Sequence, residues 1–165
     1  MGKERLMTDE ELIALTPGEL IDMGVCPTCL NRRTGGKVYG DDSEKMIYAD
    51  GDIEVFLAPN PRAKGHTIIA SYPHYHDLAE APDCINEKII RFAKAMSNIL
   101  RRVYGCERVY LCTMSDGPMN HYHVQLIPRY PDEPRGSKNF VKERQPYIHD
   151  PDKVNRLREL IKGTK

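Results

Sequence analysis

The longest regular pattern of apolar positions lies between Asp83 and Tyr104. There Ile85, Ile89, Phe92, Met96, Ile99 and Val103 recur at the spacing of one helix face, with Pro82 before them and Gly105 after. This predicts one long amphipathic helix. Shorter apolar stretches predict strands. Met46 to Asp50 and Ile53 to Ala58 flank Gly51-Asp52, a hairpin signal, and His66 to Tyr72 follows with Ile68 and Ile69 at its centre. These three form a predicted meander. Glu107 to Met114 and His121 to Ile127 have strand lengths and are separated by Asp116, Gly117 and Pro118, which predicts a second hairpin ended by Pro128.

The flanks carry helix signals. Thr8 with Glu11, and Thr16 with Pro17 and Glu19, mark two short helices within the first 23 residues, the second stopped by Gly24. Pro128 to Asp150 is proline-rich and aperiodic, a wrapped loop, and Asp150-Pro151 opens a last helix bearing Val154, Leu157 and Leu160. The pattern predicts an α+β domain: a mostly antiparallel five-stranded sheet, one long helix and shorter terminal helices. Its expected parts are N-terminal helices over 1–24, a core over 25–130, and a tail loop and helix over 131–165. No internal repeat or low-complexity segment interrupts it.

Composition narrows the function classes. At 165 residues the chain has the length of one domain, and its 24 basic and 24 acidic side chains cancel. No net positive field points to a nucleic-acid polymer or an anionic membrane, so a small molecule is the expected partner. The charged opening residues and the lack of any apolar run near the roughly 20 residues of a membrane span predict a cytoplasmic protein. In a reducing compartment the five cysteines are expected to be metal ligands or packing residues rather than disulfides.

Two segments carry chemistry. In His121-Tyr122-His123-Val124-Gln125 three polar groups alternate, which in a strand sends them to one face while the apolar neighbours Val124 and Leu126 turn to the core. Two histidines in a strand are also common surface residues. Cys26-Pro27-Thr28-Cys29 has the spacing of half a zinc site, because two thiolates on a tight turn reach one ion. Unrelated thiols or a redox pair are the other readings. Cys84, Cys106 and Cys112 read as packing residues. The basic cluster Arg135, Lys138, Lys142 and Arg144 reads as a solvated loop or a polyphosphate clamp.

The string Asp116-Gly117-Pro118, then His121-Tyr122-His123-Val124-Gln125-Leu126-Ile127-Pro128-Arg129, resembles the histidine-triad (HIT) signature. Val55-Phe56-Leu57, Asn60-Pro61, Gly65-His66-Thr67-Ile68-Ile69 and His76-Asp77-Leu78 resemble the family's earlier core, so the likeness covers about residues 46–130. The resemblance implies a HIT-like fold and cleavage of an α-phosphate linkage in a nucleotide, with His123 as nucleophile. Gln125 stands where the commonest hydrolases have a third histidine, as in galactose-1-phosphate uridylyltransferases and some dinucleoside polyphosphate phosphorylases. An amide donates to a phosphate oxygen without a titratable proton, which favours transfer over hydrolysis.

Zinc-bearing members complete their site with a histidine after the Gly-His strand and with the first triad residue. Here these are His76 and His121, giving a structural Cys26, Cys29, His76, His121 set, with His74 as the substitute for His76. His66 is implied near the phosphates and nucleoside, although a structural histidine fits as well. The ribose-binding acid of many relatives is Ala58 here, with Asn60 as a replacement, and Ser115 and Asn120 are candidate phosphate donors or ordinary turn residues. Only Met119 and Asn120 separate Pro118 from the triad, a shorter loop than many members have. The leading expectation is an enzyme acting through a nucleotidyl-His123 on a dinucleoside polyphosphate, nucleoside phosphoramidate or nucleotide sugar. The alternative is a zinc-stabilised nucleotide-binding or sensor protein with little turnover, and a redox or purely structural zinc protein stands third. Family members commonly dimerise, so the resemblance allows a homodimer while the sequence leaves the oligomeric state open.

Overall fold

The computed structural model describes residues 6–164. The opening residues used above, and the outermost ends of the expected 1–165 domain, lie outside the described residues. Helices α1 (Asp9–Leu12) and α2 (Pro17–Asp22) start at Thr8 and Thr16. In each, the threonine hydroxyl accepts the N–H of a glutamate three residues on, and that glutamate's carboxylate accepts the threonine N–H. The apolar pattern does not predict the next helix, α3 (Pro27–Arg33), because it is short and buries only Pro27 and Leu30. It is held by its cap: the Cys26 sulfur accepts the Cys29 N–H at 3.5 Å. Leu30 packs with Leu12 and Leu20 in a small N-terminal cluster.

Strands β1 (Met46–Ala49), β2 (Ile53–Leu57), β3 (Thr67–Ser71), β4 (Arg108–Cys112) and β5 (His123–Arg129) form one antiparallel sheet in the order β1-β2-β3-β5-β4. Asp50 closes the first hairpin, its carboxylate accepting the N–H groups of Asp52 and Ile53 at 2.8 and 3.0 Å. Helix α4 (Asp83–Tyr104) matches the predicted apolar face and ends at Gly105, whose φ of 72° is left-handed. Its Ile85, Ile89, Phe92 and Met96 pack on Ile53, Val55, Ile69, Val124 and Leu126 from one sheet face. Helix α5 (Pro151–Ile161), capped by Asp150, adds Val154, Leu157 and Ile161 to that core. Between them, Tyr130 to Asp150 is irregular apart from one 3₁₀ turn at Ser137–Asn139. The α+β class is therefore the observed one. Among the described residues no helix is long and apolar enough to cross a membrane.

Pro128 does not end the last strand as expected. It sits inside β5 opposite Val109 of β4. The Glu107 N–H donates to the Arg129 carbonyl at 2.8 Å, so residue 129 turns its backbone groups to β4 and residue 128 turns the other way. On that side β3 pairs only as far as Leu126, so the N–H that proline lacks has no strand to serve. At the other end, His121 and Tyr122 precede β5 instead of opening it.

Candidate active site and metal cluster

With Tyr122, Val124 and Leu126 committed to the core, His123 and Gln125 project from the opposite face of the sheet. Their cross-strand neighbours are Ala70 and Ile68 on β3, and Cys112 faces Gln125 from β4. Nδ1 of His123 lies 2.8 Å from the His121 carbonyl. A carbonyl only accepts, so Nδ1 carries the proton and Nε2 is left with a free lone pair. His123 is half-buried and keeps a path to a ligand.

A second relay sets Gln125. Gly65 has a φ of 77°, and a Cβ there would meet the Tyr104 ring at 2.9 Å, so only glycine brings the chain this close while turning it into β3. The turn places His66 under the site, 1% exposed, where its Nδ1 accepts the Arg62 N–H at 3.0 Å. Nε2 therefore carries the hydrogen and donates to Oε1 of Gln125 at 3.1 Å. The amide's NH₂ is turned away from His66 and remains a donor. Burial pushes the His66 imidazole down to about 4, and the Arg144 guanidinium adds to the fall, so the ring is neutral at neutral pH.

The other candidate ligand contacts are placed differently. Asn60 is exposed, and its carbonyl accepts from Arg144 at 3.0 Å. Asn120 donates to the His76 carbonyl and to the Ser115 hydroxyl, so its amide hydrogens tie the turn together and offer a phosphate none in this geometry. Ser115 leans on the same carbonyl at 3.5 Å. Ala58 lines a cavity of about 520 Å³ with Leu57, Pro61, His66 and Tyr147, so no acid stands where the resemblance expects the ribose contact. Of the three cysteines read as packing residues, Cys106 is buried, Cys112 is half-buried, and Cys84 is exposed at the start of α4.

Cys26, Cys29, His74 and His121 converge so that one ligand atom from each lies within 4.8 Å of the others. Nδ1 of His121 is 3.5 Å from both sulfurs and 3.3 Å from Nδ1 of His74, which is 3.5 Å from Cys29 Sγ. Ligands bound tetrahedrally to zinc at about 2.0–2.3 Å are about 3.3–3.8 Å apart, and the four separations just given fall in that range. The chemistry fits as well. Nε2 of His121 lies 2.8 Å from the Ser71 carbonyl and 3.2 Å from Nη1 of Arg32; the shorter contact requires the hydrogen on Nε2, and that tautomer turns the Nδ1 lone pair to the cluster. Burial, then the neighbouring Cys26, pushes the Cys29 thiol up to about 11; a dication would reverse that penalty.

The expected third ligand is corrected here. His76 is outside the cluster, its Nδ1 2.7 Å from the Glu80 carboxylate and its backbone N–H held by the same group. His74, two residues earlier on the same loop, reaches the sulfurs instead, and His76 touches it ring edge to ring face at 4.9 Å. One residue escaped the sequence reading. Arg32 of α3 donates to the Ser71 and Tyr72 carbonyls and pairs with Glu54 of β2, clamping the cysteine helix to the end of β3. Only its position three residues after Cys29 hints at this.

The fold has known counterparts. The HIT domain profile matches residues 40–132, more than half of the chain, and the chain belongs to that family. An uncharacterized HIT-like protein of Methanocaldococcus jannaschii is 30% identical over 97 residues, 56% of this chain and 74% of the relative. A zinc-bound histidine triad family protein from Mycobacterium smegmatis superposes with a TM-score of 0.58 at 16% identity, covering 71% of this chain and 83% of its own. The Plasmodium falciparum diadenosine triphosphate hydrolase superposes at 0.58 and 13% identity, over 76% and 81% of the two chains. At these identities the two structures establish the shared fold.

Proposed function

We propose that this HIT protein cleaves an α-phosphate linkage of a nucleotide through a covalent bond to His123. The observation that carries the reading is the 2.8 Å contact between His123 Nδ1 and the His121 carbonyl, which leaves Nε2 as a nucleophile. In the first step the Nε2 lone pair forms a bond to phosphorus, and the leaving-group oxygen, or the nitrogen of a phosphoramidate, departs with the electrons of its broken bond to phosphorus. In the second, an acceptor oxygen attacks phosphorus and Nε2 recovers its lone pair. The Gln125 NH₂, aimed by His66, donates to a phosphate oxygen as negative charge grows. The diadenosine triphosphate hydrolase with the same fold supports the substrate class, which here includes dinucleoside polyphosphates, nucleoside phosphoramidates and nucleotide sugars.

Cys26, Cys29, His74 and His121 would hold one structural zinc. When bound, the ion would supply charge neutralisation and a rigid tether between these segments. His121 gives its side chain to the cluster and its carbonyl to His123, so the cluster steadies the nucleophile's tautomer. The zinc-bound relative supports this reading.

A second reading, a nucleotide binder with little turnover, is favoured by Ala58 and by the committed donors of Asn120. One screen separates them. The purified chain is incubated with dinucleoside polyphosphates and nucleotide sugars, with and without inorganic phosphate. Products that form with the wild type and vanish in His123→Ala establish the enzyme, and binding without product in any mixture establishes the binder.

A further inference from the structure

Two guanidinium groups near His66 stand without counter-charges among the described residues. The loop before His66 runs alongside the tail. Arg144 donates to the Asn60 carbonyl at 3.0 Å, the Gln145 N–H to the Pro61 carbonyl at 2.8 Å, and Arg62 to the Lys142 carbonyl. These contacts set Arg62 and Arg144 next to each other at the edge of the site, and Arg144 is exposed while Arg62 is partly so. Of the other cations nearby, Lys142 is paired with Glu133 and Arg129 with Glu107. Arg62 and Arg144 have no carboxylate partner among the described residues, and Nε of Arg62 is buried without any hydrogen-bond partner.

Their charge falls on the site. Both guanidinium groups depress the His66 imidazole, and Arg62 also acts on the Cys112 thiol. His66 bonds Gln125 and Cys112 faces it across the strand, so Arg62 acts on both neighbours of the triad amide. Burial first, and then the proximity of the like-charged Arg62, make Arg144 easier to deprotonate than a free arginine. An anion relieves that repulsion, and paired guanidinium groups match the oxygens of a phosphate.

We propose that Arg62 and Arg144 form an anion subsite for a phosphate group other than the one attacked. It would hold the leaving group's phosphate in the first step and the acceptor's in the second. This rests on the nucleotidyl-His123 reading. It makes the acceptor a phosphate: one of its oxygens bonds to the nucleotidyl phosphorus, the P–Nε2 bond breaks, and a new phosphoanhydride leaves. Inorganic phosphate and a hexose 1-phosphate present the same dianion.

Calorimetric titration of the full chain with inorganic phosphate, and separately with a hexose 1-phosphate, tests it. Arg62→Gln and Arg144→Gln each keep a donor for the carbonyl that the arginine serves but remove the charge. Each is expected to weaken binding of at least one ligand by about tenfold, since hydrogen bonds to charged groups are worth that much, and the ligand affected identifies the source of the phosphate. Should Arg62→Gln melt early, exposed Arg144 decides alone. Wild type that binds neither ligand, or variants that bind both as the wild type does, would overturn the subsite. Titrating beside a trapping experiment on His123 separates the two ideas. Arginine-dependent phosphate binding with no label on His123 sinks the chemistry and leaves the subsite, and a label with arginine-independent binding does the reverse.

Discussion

His66 and Gln125 are joined by a 3.1 Å hydrogen bond whose direction is set one residue further out, where the Arg62 N–H occupies the other nitrogen of the imidazole. The bond explains a buried histidine that takes no part in covalent chemistry. It keeps the glutamine from presenting its oxygen, instead of its NH₂, to a phosphate. If so, His66→Ala and Gln125→Ala remove one and the same effect. Each should lower kcat on the order of 100-fold, the usual cost of one oxyanion donor, and the double variant should be scarcely worse than either. Losses that multiply would show that the two act separately.

The same histidine predicts a pH dependence of stability. The folded protein keeps His66 neutral down to about pH 4, whereas an unperturbed imidazole titrates near 6.5. Between those values the unfolded chain binds more protons. The stabilisation is therefore complete above about 6.5 and is lost as pH falls toward 4, by up to about 3 kcal/mol. Melting curves of zinc-loaded protein across that range should show a steeper fall for the wild type than for His66→Asn. Equal slopes would contradict the assignment.

Metal content distinguishes two adjacent histidines. Protein purified without added zinc should carry about one equivalent per chain. His74→Ala should lose it and melt lower, because metal binding contributes to folding. His76→Ala should keep it, since that ring turns to Glu80. Loss of zinc from His76→Ala with retention in His74→Ala would reverse the assignment.

Elements with a strong local signal were legible from sequence alone. The α4 period, the Gly105 stop and the threonine caps of α1 and α2 all depend on neighbours within a few residues. The α3 helix was not, because it has too few apolar positions for a period and is secured by a sulfur cap and by Arg32, whose partner Glu54 is 22 residues away. Spacing could not choose between His74 and His76. That choice depends on how the loop carrying them turns, and Glu80 and Asn120 fasten that turn at residue 76. The contact of the Arg62 loop with the tail joins residues 80 or more apart and left no trace in the local pattern.

The central claim is the covalent bond to His123, and trapping it is the most direct measurement. The protein is mixed with a dinucleoside polyphosphate carrying a radioactive α-phosphate, quenched early and digested, and the labelled peptide is mapped. The account predicts an acid-labile, base-stable label on His123, absent from His123→Ala and present, more slowly formed, in Gln125→Ala. Nucleotide cleaved at the wild-type rate with no label on His123, or a His123→Ala chain that turns over normally, would contradict it.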